Sequence, residues 1–557
     1  MQELPNYDLH EQEWDSYEQL YGEFEWVIPD QFNMAEWACD RWADSDGERD
    51  AAYFEDAAGN QTTYTFSRLQ TEANQLANLL SDRGVGRGDR VGVDGSPTPE
   101  VLVTHVAIQK LGAVVVPLSA RFGPDGLQYR LEDSGAKAYV TGPGNIETLR
   151  TVRDDVDDLQ DVFVTSGIEP AGDEISLTEA MEGASTDFET VETEATDNAL
   201  IIYTSGTTGD PKGVVHTHEL LLGHLPLFSA GFCNLELHED DVFRIPTEWS
   251  WLGSLFALVM PALYYGRPVV GYHGEFDPEV EFELIEEYDV SVNILPNTIL
   301  RMMAQVPDAE ERFDLSSIRT IPTGGEALDQ SAWEWAVEVF GDVIIQSYGQ
   351  TEANMLLGNF PSLKENRPET LGLPAPGHEI RIVDPETAEP TVDTGEIGEI
   401  AVRYGDDPVC FKEYWKKPDK TAGKVKDGWL ITEDLGFRDE DGYFQFKSRK
   451  DDVIISSGYR IGPDEVEDYL GGHEAVADAG VIGVPHEERS EVPKAFVVLL
   501  DGYEPSEGLR KDLQSYVKDG LAAYEYPREL EFVDELPRTS TGKLRRTDLR
   551  EREGIEG

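Results

Sequence analysis

One junction constrains the fold more than any other feature. The apolar, β-branched run Ala199 to Tyr203 passes directly into Thr-Ser-Gly-Thr-Thr-Gly-Asp-Pro-Lys-Gly, which ends at Gly213. The run reads as a buried strand of an α/β layer. The segment after it is built from residues that let backbone N–H groups and hydroxyls converge on phosphate oxygens. Thr204, Ser205, Thr207 and Thr208 supply hydroxyls, Gly206, Gly209 and Gly213 permit φ values that other residues resist, and Lys212 adds a point charge. The spacing is not G-x-x-x-x-G-K-[ST], because Gly213 follows the lysine where Ser or Thr is required. This argues against the usual ATPase or kinase loop.

The rest of the chain supports an α/β fold. FSRLQTEANQLANLLSDRGVG has the spacing of an amphipathic helix ending at a glycine, and DRVGVDG follows as a short strand. Apolar β-branched runs at Val114 to Pro117, Ala138 to Thr141, Asp161 to Thr165, Val269 to Gly271, Val290 to Leu295 and Val343 to Ser347 alternate with helical spacing. From Gly377 the texture changes to short alternating strands and turns, and after Asp451 to a compact α+β module. The expected organisation is a large N-terminal unit over residues 1–450, whose β-rich part is 376–450, and a small C-terminal unit over 451–557.

Charge separates function classes. With 45 basic against 110 acidic residues, the net charge is −65. Such a surface repels nucleic acid, and because acidic residues dominate along the whole length it reads as a solvated surface. Self-repulsion of this size predicts a protein that needs salt, as from a halophilic cell, since the screening length falls from ~30 Å at 0.01 M to ~3 Å at 1 M. Cys39, Cys233 and Cys410 are widely spaced and form no C-x-x-C, which fits a reducing cytoplasm and neither a disulfide framework nor a zinc knuckle. No secretory leader and no S-K-L address is read at the ends, and the apolar stretches around Leu220 and Trp251 are broken too early to span a membrane.

Further motifs lie where α/β ligands bind, at the C-terminal ends of strands. Thr323-Gly-Gly-Glu-Ala327 contributes Gly324, Gly325, Glu326 and Ala327, and Gln346-Ser-Tyr-Gly-Gln-Thr-Glu352 contributes Ser347, Tyr348, Gly349, Thr351 and Glu352. Tyr348 offers a flat face for a purine, Thr351 a hydroxyl for an α-phosphate, and Glu352 a hard oxygen ligand for Mg²⁺. Together with the glycine-rich segment, these motifs resemble the adenylate-forming superfamily of acyl-CoA synthetases, luciferases and peptide-synthetase adenylation domains.

The resemblance implies the remaining roles. Asp434, in Thr432-Glu433-Asp434, would accept the ribose diol, although the family shows glycine where Glu433 stands. Arg449 would reach the ribose, with Ser448 in place of a family glycine, and Asp451 would be the hinge about which a mobile C-terminal domain turns. Lys543, in TSTGK, matches the catalytic lysine. Arg460 and Arg489 are candidates for coenzyme A phosphates.

The implied substrates are a carboxylic acid, ATP and coenzyme A, with Mg²⁺. Short-acid members of the family place a tryptophan where Gly349 stands, so an open floor lined by Trp251, Gly324 and Gly349 is expected to admit a medium-chain or other bulky acid. Short-chain or aromatic acids are the alternative. Two features are decoys. Gly84-Val-Gly-Arg-Gly88 lies between a helix and a strand, the reverse of a dinucleotide site, and His216 with His218 lacks a third metal ligand nearby.

Overall fold

All five residues of the Val114–Leu118 strand are buried, as its place near the middle of an eight-stranded sheet requires. The computed structural model describes residues 4–555 except 205–210, 326, 327, 329, 386, 390–393, 451, 457, 458, 487, 488, 501, 522–524 and 539–543. For residues 455, 459, 460, 490, 519 and 520 it describes the backbone alone. The order across the large sheet is Glu413–Tyr414, Lys212–Thr217, Asn198–Thr204, Val114–Leu118, Arg90–Asp94, Ala138–Thr141, Asp161–Val164 and Ile175–Ser176. From Asn198–Thr204 onward every pairing is parallel, and the first two strands run antiparallel.

Parallel neighbours need a crossover, and the helix Pro99–Lys110 joins Arg90–Asp94 to Val114–Leu118. It begins where the Thr98 side chain accepts a hydrogen bond from the Val101 backbone, with Pro99 in its first turn. Against it packs the Phe66–Asp82 helix, which is capped by Thr65 and buries Phe66, Leu69, Ala73, Leu76, Ala77 and Leu80. That three- and four-residue spacing is the apolar stripe seen in the sequence.

A second sheet runs Val292–Asn293, Phe243–Arg244, Val269–His273, Asp50–Asp56, Gln61–Thr65. Its buried Arg244 meets Glu281 of the Pro278–Glu287 helix in a fork, with Nε to Oε1 at 2.9 Å and Nη2 to Oε2 at 2.6 Å. Asn293 donates to the same carboxylate at 2.9 Å. A third, four-stranded sheet, Ile321–Gly324, Ile344–Gln350, Ala353–Gly358, Leu373–Pro374, carries two of the sequence motifs.

The β-rich region is an all-antiparallel sheet of Ile380–Val383, Gly398–Arg403, Trp429–Arg438, Val425–Lys426 and Phe444–Arg449. The last sheet combines Tyr459–Ile461, Ile454–Ser456, Ser490–Leu499, Val476–His486 and Glu529–Phe532 with the helices Pro463–Gly471 and Glu507–Gly520. The expected mixed α/β class is therefore observed, with a large N-terminal domain of sheets followed by a C-terminal α+β domain. The apolar stretches near Leu220 and Trp251 are short, buried helical pieces such as Leu220–Leu227 and Met260–Tyr264. Among the described residues no helix is long and apolar enough to cross a membrane.

Candidate active site

The glycine-rich segment turns out to be the tip of a hairpin. Asn198–Thr204 pairs with the returning strand Lys212–Thr217, placing Tyr203 opposite Gly213 and Thr204 opposite Lys212. The return strand was not read from the sequence. Ser205, Gly206, Thr207, Thr208 and Gly209 lie outside the described residues. Lys212 and Gly213 are tied to the Glu413–Tyr414 edge: the Trp415 N–H donates to the Gly213 carbonyl at 2.7 Å, and the Lys212 ammonium lies 5.1 Å from the centre of the Tyr414 ring.

Beside it, Ile321–Gly324 and Ile344–Gln350 run parallel, with Gly324 opposite Ser347. A Cβ on Gly324 would lie 2.6 Å from the Ser347 carbonyl oxygen, so only glycine allows this approach. Gly325 follows, and Glu326 and Ala327 lie outside the described residues. The SYGQ residues were expected just past a strand; they occupy its last positions instead, continuing into a hairpin with Ala353–Gly358. Gly349 belongs to that hairpin. A Cβ there would lie 2.6 Å from the Met355 backbone nitrogen, so the missing side chain lets two backbones meet, a reason for glycine that does not depend on the acid. Trp251 is half-buried ahead of the short helix Leu252–Ser254.

Tyr348 reaches across to the β-rich sheet. Its hydroxyl donates to Asp434 Oδ2 at 2.5 Å, and Arg449 Nε lies 3.2 Å from Asp434 Oδ1. Burial and the Asp434 charge push the Tyr348 phenol well above its ordinary pKa, which keeps it a donor. Asp434 is aimed by a bulge, because Thr432, Glu433 and Asp434 together oppose Ile400 between the pairs Glu399 with Leu435 and Ala401 with Ile431. Within the bulge the Thr432 hydroxyl donates to the Ile400 carbonyl at 2.7 Å and accepts from the Asp434 N–H at 3.1 Å.

Glu433 explains how the chain departs from the family pattern and keeps this shape. It adopts φ +68°, the left-handed region that favours glycine, and its carboxylate pairs with Lys424 at 2.8 Å. Ser448 needs no glycine, since it is outside the set of residues with positive φ. Glu433→Gly should shift the melting midpoint by only a few degrees. The left-handed strain released is ~1 kcal/mol, and the half-exposed ion pair lost is worth ~0–1 kcal/mol. The KM for ATP should stay within about twofold; a tenfold change would show that Glu433 acts on the nucleotide, directly or through Arg449, whose guanidinium lies 3.9 Å from it.

His216, read from the sequence only as half of a decoy pair, and Tyr414, not read at all, hold the Thr351–Glu352 turn. His216 is buried, and burial lowers its pKa to about 4, so the neutral ring donates from Nε2 to the Thr351 carbonyl at 2.7 Å. His218 instead accepts from the Met34 N–H at 3.3 Å. The two histidines thus have separate partners on either side of the hairpin's return strand. The Glu352 carbonyl accepts from Phe411 N–H at 2.7 Å, and its Oε1 accepts from the Tyr414 hydroxyl at 2.6 Å. Among the described residues no three His, Cys, Asp or Glu side chains gather as an all-protein metal site. A single supported carboxylate suits a cation that takes its other ligands from phosphates and water, as Mg²⁺ does.

The profile of the AMP-binding enzyme family matches residues 39–415, and that of the AMP-binding enzyme C-terminal domain matches 465–543. The chain belongs to the AMP-binding enzyme family. An AMP-forming acyl-CoA synthetase, which the resemblance implies, stands with that membership. Among relatives, an uncharacterized acyl-CoA ligase, YtcI, of Bacillus subtilis (strain 168) is 36% identical over 91% of this chain and 94% of its own. The acetyl-coenzyme A synthetase of the same organism is 34% identical over 96% of this chain and 94% of its own. The structure of the anthranilate CoA ligase AuaEII in complex with anthranoyl-AMP superposes with a TM-score of 0.86 at 28% identity, covering 95% of this chain and 98% of that one.

The other expected residues of this AMP-binding enzyme lie in its C-terminal part. Asp451 and Lys543 are outside the described residues, as is the side chain of Arg460. Arg489 lies in the turn between Val476–His486 and Ser490–Leu499, strands of the C-terminal sheet, whereas Tyr348 and Asp434 lie on two other sheets.

Proposed function

We propose that the protein is an ATP-dependent carboxylic acid:CoA ligase that works through an acyl-adenylate. The observation that supports this best is the Tyr348–Asp434–Arg449 chain, which joins a purine platform to a ribose acceptor. A carboxylate can accept at about four positions, so a ribose diol can bind alongside Tyr348 and Arg449. Thr204, the residues 205–209 and Lys212 would cradle the phosphates, with Ser347, Gly325, Glu326 and Ala327 around the nucleotide and Thr351 on the α-phosphate. Bound at Glu352, Mg²⁺ would neutralise developing charge on the phosphates.

In the first half-reaction a carboxylate oxygen attacks the α-phosphorus, the bond to the β-phosphate oxygen breaks, and pyrophosphate leaves. Lys543 would stabilise the added charge. The C-terminal domain, turning about Asp451, would then bring Arg460 and Arg489 toward coenzyme A. The thiol sulfur attacks the acyl carbonyl, its proton is lost to solvent, and AMP leaves with the former carboxylate oxygen. No protein nucleophile takes part; positioning and charge carry the catalysis.

A medium-chain or other bulky acid is proposed as substrate, because the run from FKEYW through EVPKAFVVL resembles the medium-chain acyl-CoA synthetases, and Trp251 and Gly324 would line its pocket. Gly349 gives this no support, because the Met355 backbone accounts for its missing side chain. Pyrophosphate release should be measured with acetate, butyrate, octanoate and benzoate, with and without coenzyme A. Octanoate or benzoate should have the highest kcat/KM. Acetate as the best substrate would overturn the bulky-acid reading, and release of orthophosphate instead of pyrophosphate would overturn the ligase reading.

We propose a reducing, salt-rich cytoplasm as its setting, since Cys39, Cys233 and Cys410 are unpaired thiols and the net charge is −65. The melting midpoint should rise between low and molar salt as screening shortens from ~30 Å to ~3 Å. A flat salt dependence would contradict this.

A further inference from the structure

The segment 410–415 wraps the Thr351–Glu352 turn and the exit of the glycine-rich hairpin together. Cys410 bridges to Ala353, and the Phe411 N–H donates to the Glu352 carbonyl at 2.7 Å. Tyr414 then pairs with Val214, and the Trp415 N–H donates to the Gly213 carbonyl at 2.7 Å. At the centre is the Tyr414 side chain, only 2% exposed. Its ring is braced edge-on by Phe411 with centroids 4.8 Å apart, and its own N–H donates to the Thr421 hydroxyl at 2.9 Å.

From this fixed position one side chain touches two residues of the site. The Tyr414 hydroxyl donates to Glu352 Oε1 at 2.6 Å, and the ring face carries the Lys212 ammonium 5.1 Å from its centre. A glutamate on its own samples many rotamers, and fixing a long polar side chain costs up to ~1.5–2 kcal/mol of entropy. The phenol prearranges it: with Oε1 held, the carboxylate offers its remaining acceptor positions in one direction.

We propose that Tyr414 is a positioning residue that orients Glu352 toward a divalent cation and couples it to Lys212, so that the cation site and the phosphate-binding hairpin form one unit. The inference rests on the proposed adenylation chemistry, in which Glu352 is the cation ligand. It adds a residue that contacts neither the acid nor the nucleotide, and acts only through Glu352 and Lys212.

The test is Tyr414→Phe, which keeps the ring under Lys212 and the contact with Phe411 and removes only the hydroxyl. Binding of α,β-methylene-ATP to the full-length chain is measured by calorimetry with Mn²⁺ and with EDTA. Outer-shell partners of metal ligands typically contribute about 10–100-fold in metal affinity. The Mn²⁺-dependent gain in nucleotide affinity should therefore fall about tenfold or more in Tyr414→Phe, while affinity in EDTA stays within about twofold of the wild type.

Glu352→Gln separates the two levels of the claim. If the Mn²⁺-dependent gain is lost in Glu352→Gln but kept in Tyr414→Phe, the role of Tyr414 is overturned and the cation ligand stands. If it is kept in Glu352→Gln, the ligand assignment falls and the positioning role with it. An equal loss with Mn²⁺ and with EDTA in Tyr414→Phe would also overturn the proposal, since general packing damage lowers both.

Discussion

Lys543→Ala should lower acyl-adenylate formation by at least about 10²–10³-fold, the typical cost of removing one preorganised donor from a developing oxyanion, while thioester formation from supplied acyl-adenylate survives. The asymmetry follows from where charge appears. When the carboxylate adds to the α-phosphorus, negative charge concentrates on the phosphate oxygens, and an ammonium on a flexible stem can bridge them and the entering carboxylate. In the second half-reaction the phosphorus is already bonded and only the carbonyl changes. The residues flanking this lysine are well anchored. Arg538 bridges to Leu544, the Arg545 N–H donates to the Pro537 carbonyl at 2.8 Å, and Leu536 and Leu549 are buried with Val484 and Phe496. Pyrophosphate exchange and stopped assays with synthetic adenylate read the two halves separately. Equal loss of both would remove Lys543 from the first step.

The largest effect on stability is expected far from the chemistry. The side chains of Arg244 and Glu281 are 3% and 1% exposed, and they meet in a bidentate fork that Asn293 completes. A buried pair of this kind contributes little net stability compared with apolar residues, because desolvation offsets the attraction. Removing one partner is different: it strands a charge in a low-dielectric interior at a cost of ~3–5 kcal/mol. Glu281→Ala should lower the melting midpoint by on the order of 10 °C. Arg244→Met combined with Glu281→Leu should recover part of that loss, with Asn293 left without its acceptor. A double variant melting no higher than Glu281→Ala would mean that the stranded charge is not the cause.

The sequence was most legible where burial is symmetric and local. The strand Ala138–Thr141 coincides with its apolar run, and the helix Phe66–Asp82 follows its stripe and its Thr65 cap. Less was legible wherever a side chain answers to a distant partner. Tyr348 read as a purine platform, but its bond to Asp434 spans 86 residues. Tyr414 carried no motif and His216 stood out only as half of a decoy pair, and their importance comes from Glu352 and Thr351, which the fold brings to them. The return strand Lys212–Thr217 was missed because the hydroxyl-rich tip ahead of it drew the reading toward a loop. At Gly349 the family pattern suggested vacancy, whereas backbone crowding from Met355 is the physical reason for glycine. At Glu433 the reverse holds: a residue without glycine's freedom keeps the left-handed turn.

The central claim is that the acid's own oxygen becomes bonded to the α-phosphorus. A preferred acid carrying heavy oxygen in both carboxylate positions, turned over with ATP and coenzyme A, tests it directly by mass spectrometry of the products. One heavy oxygen should appear in AMP, with none in pyrophosphate. Unlabelled AMP, or label in orthophosphate accompanied by ADP, would contradict attack at the α-phosphorus.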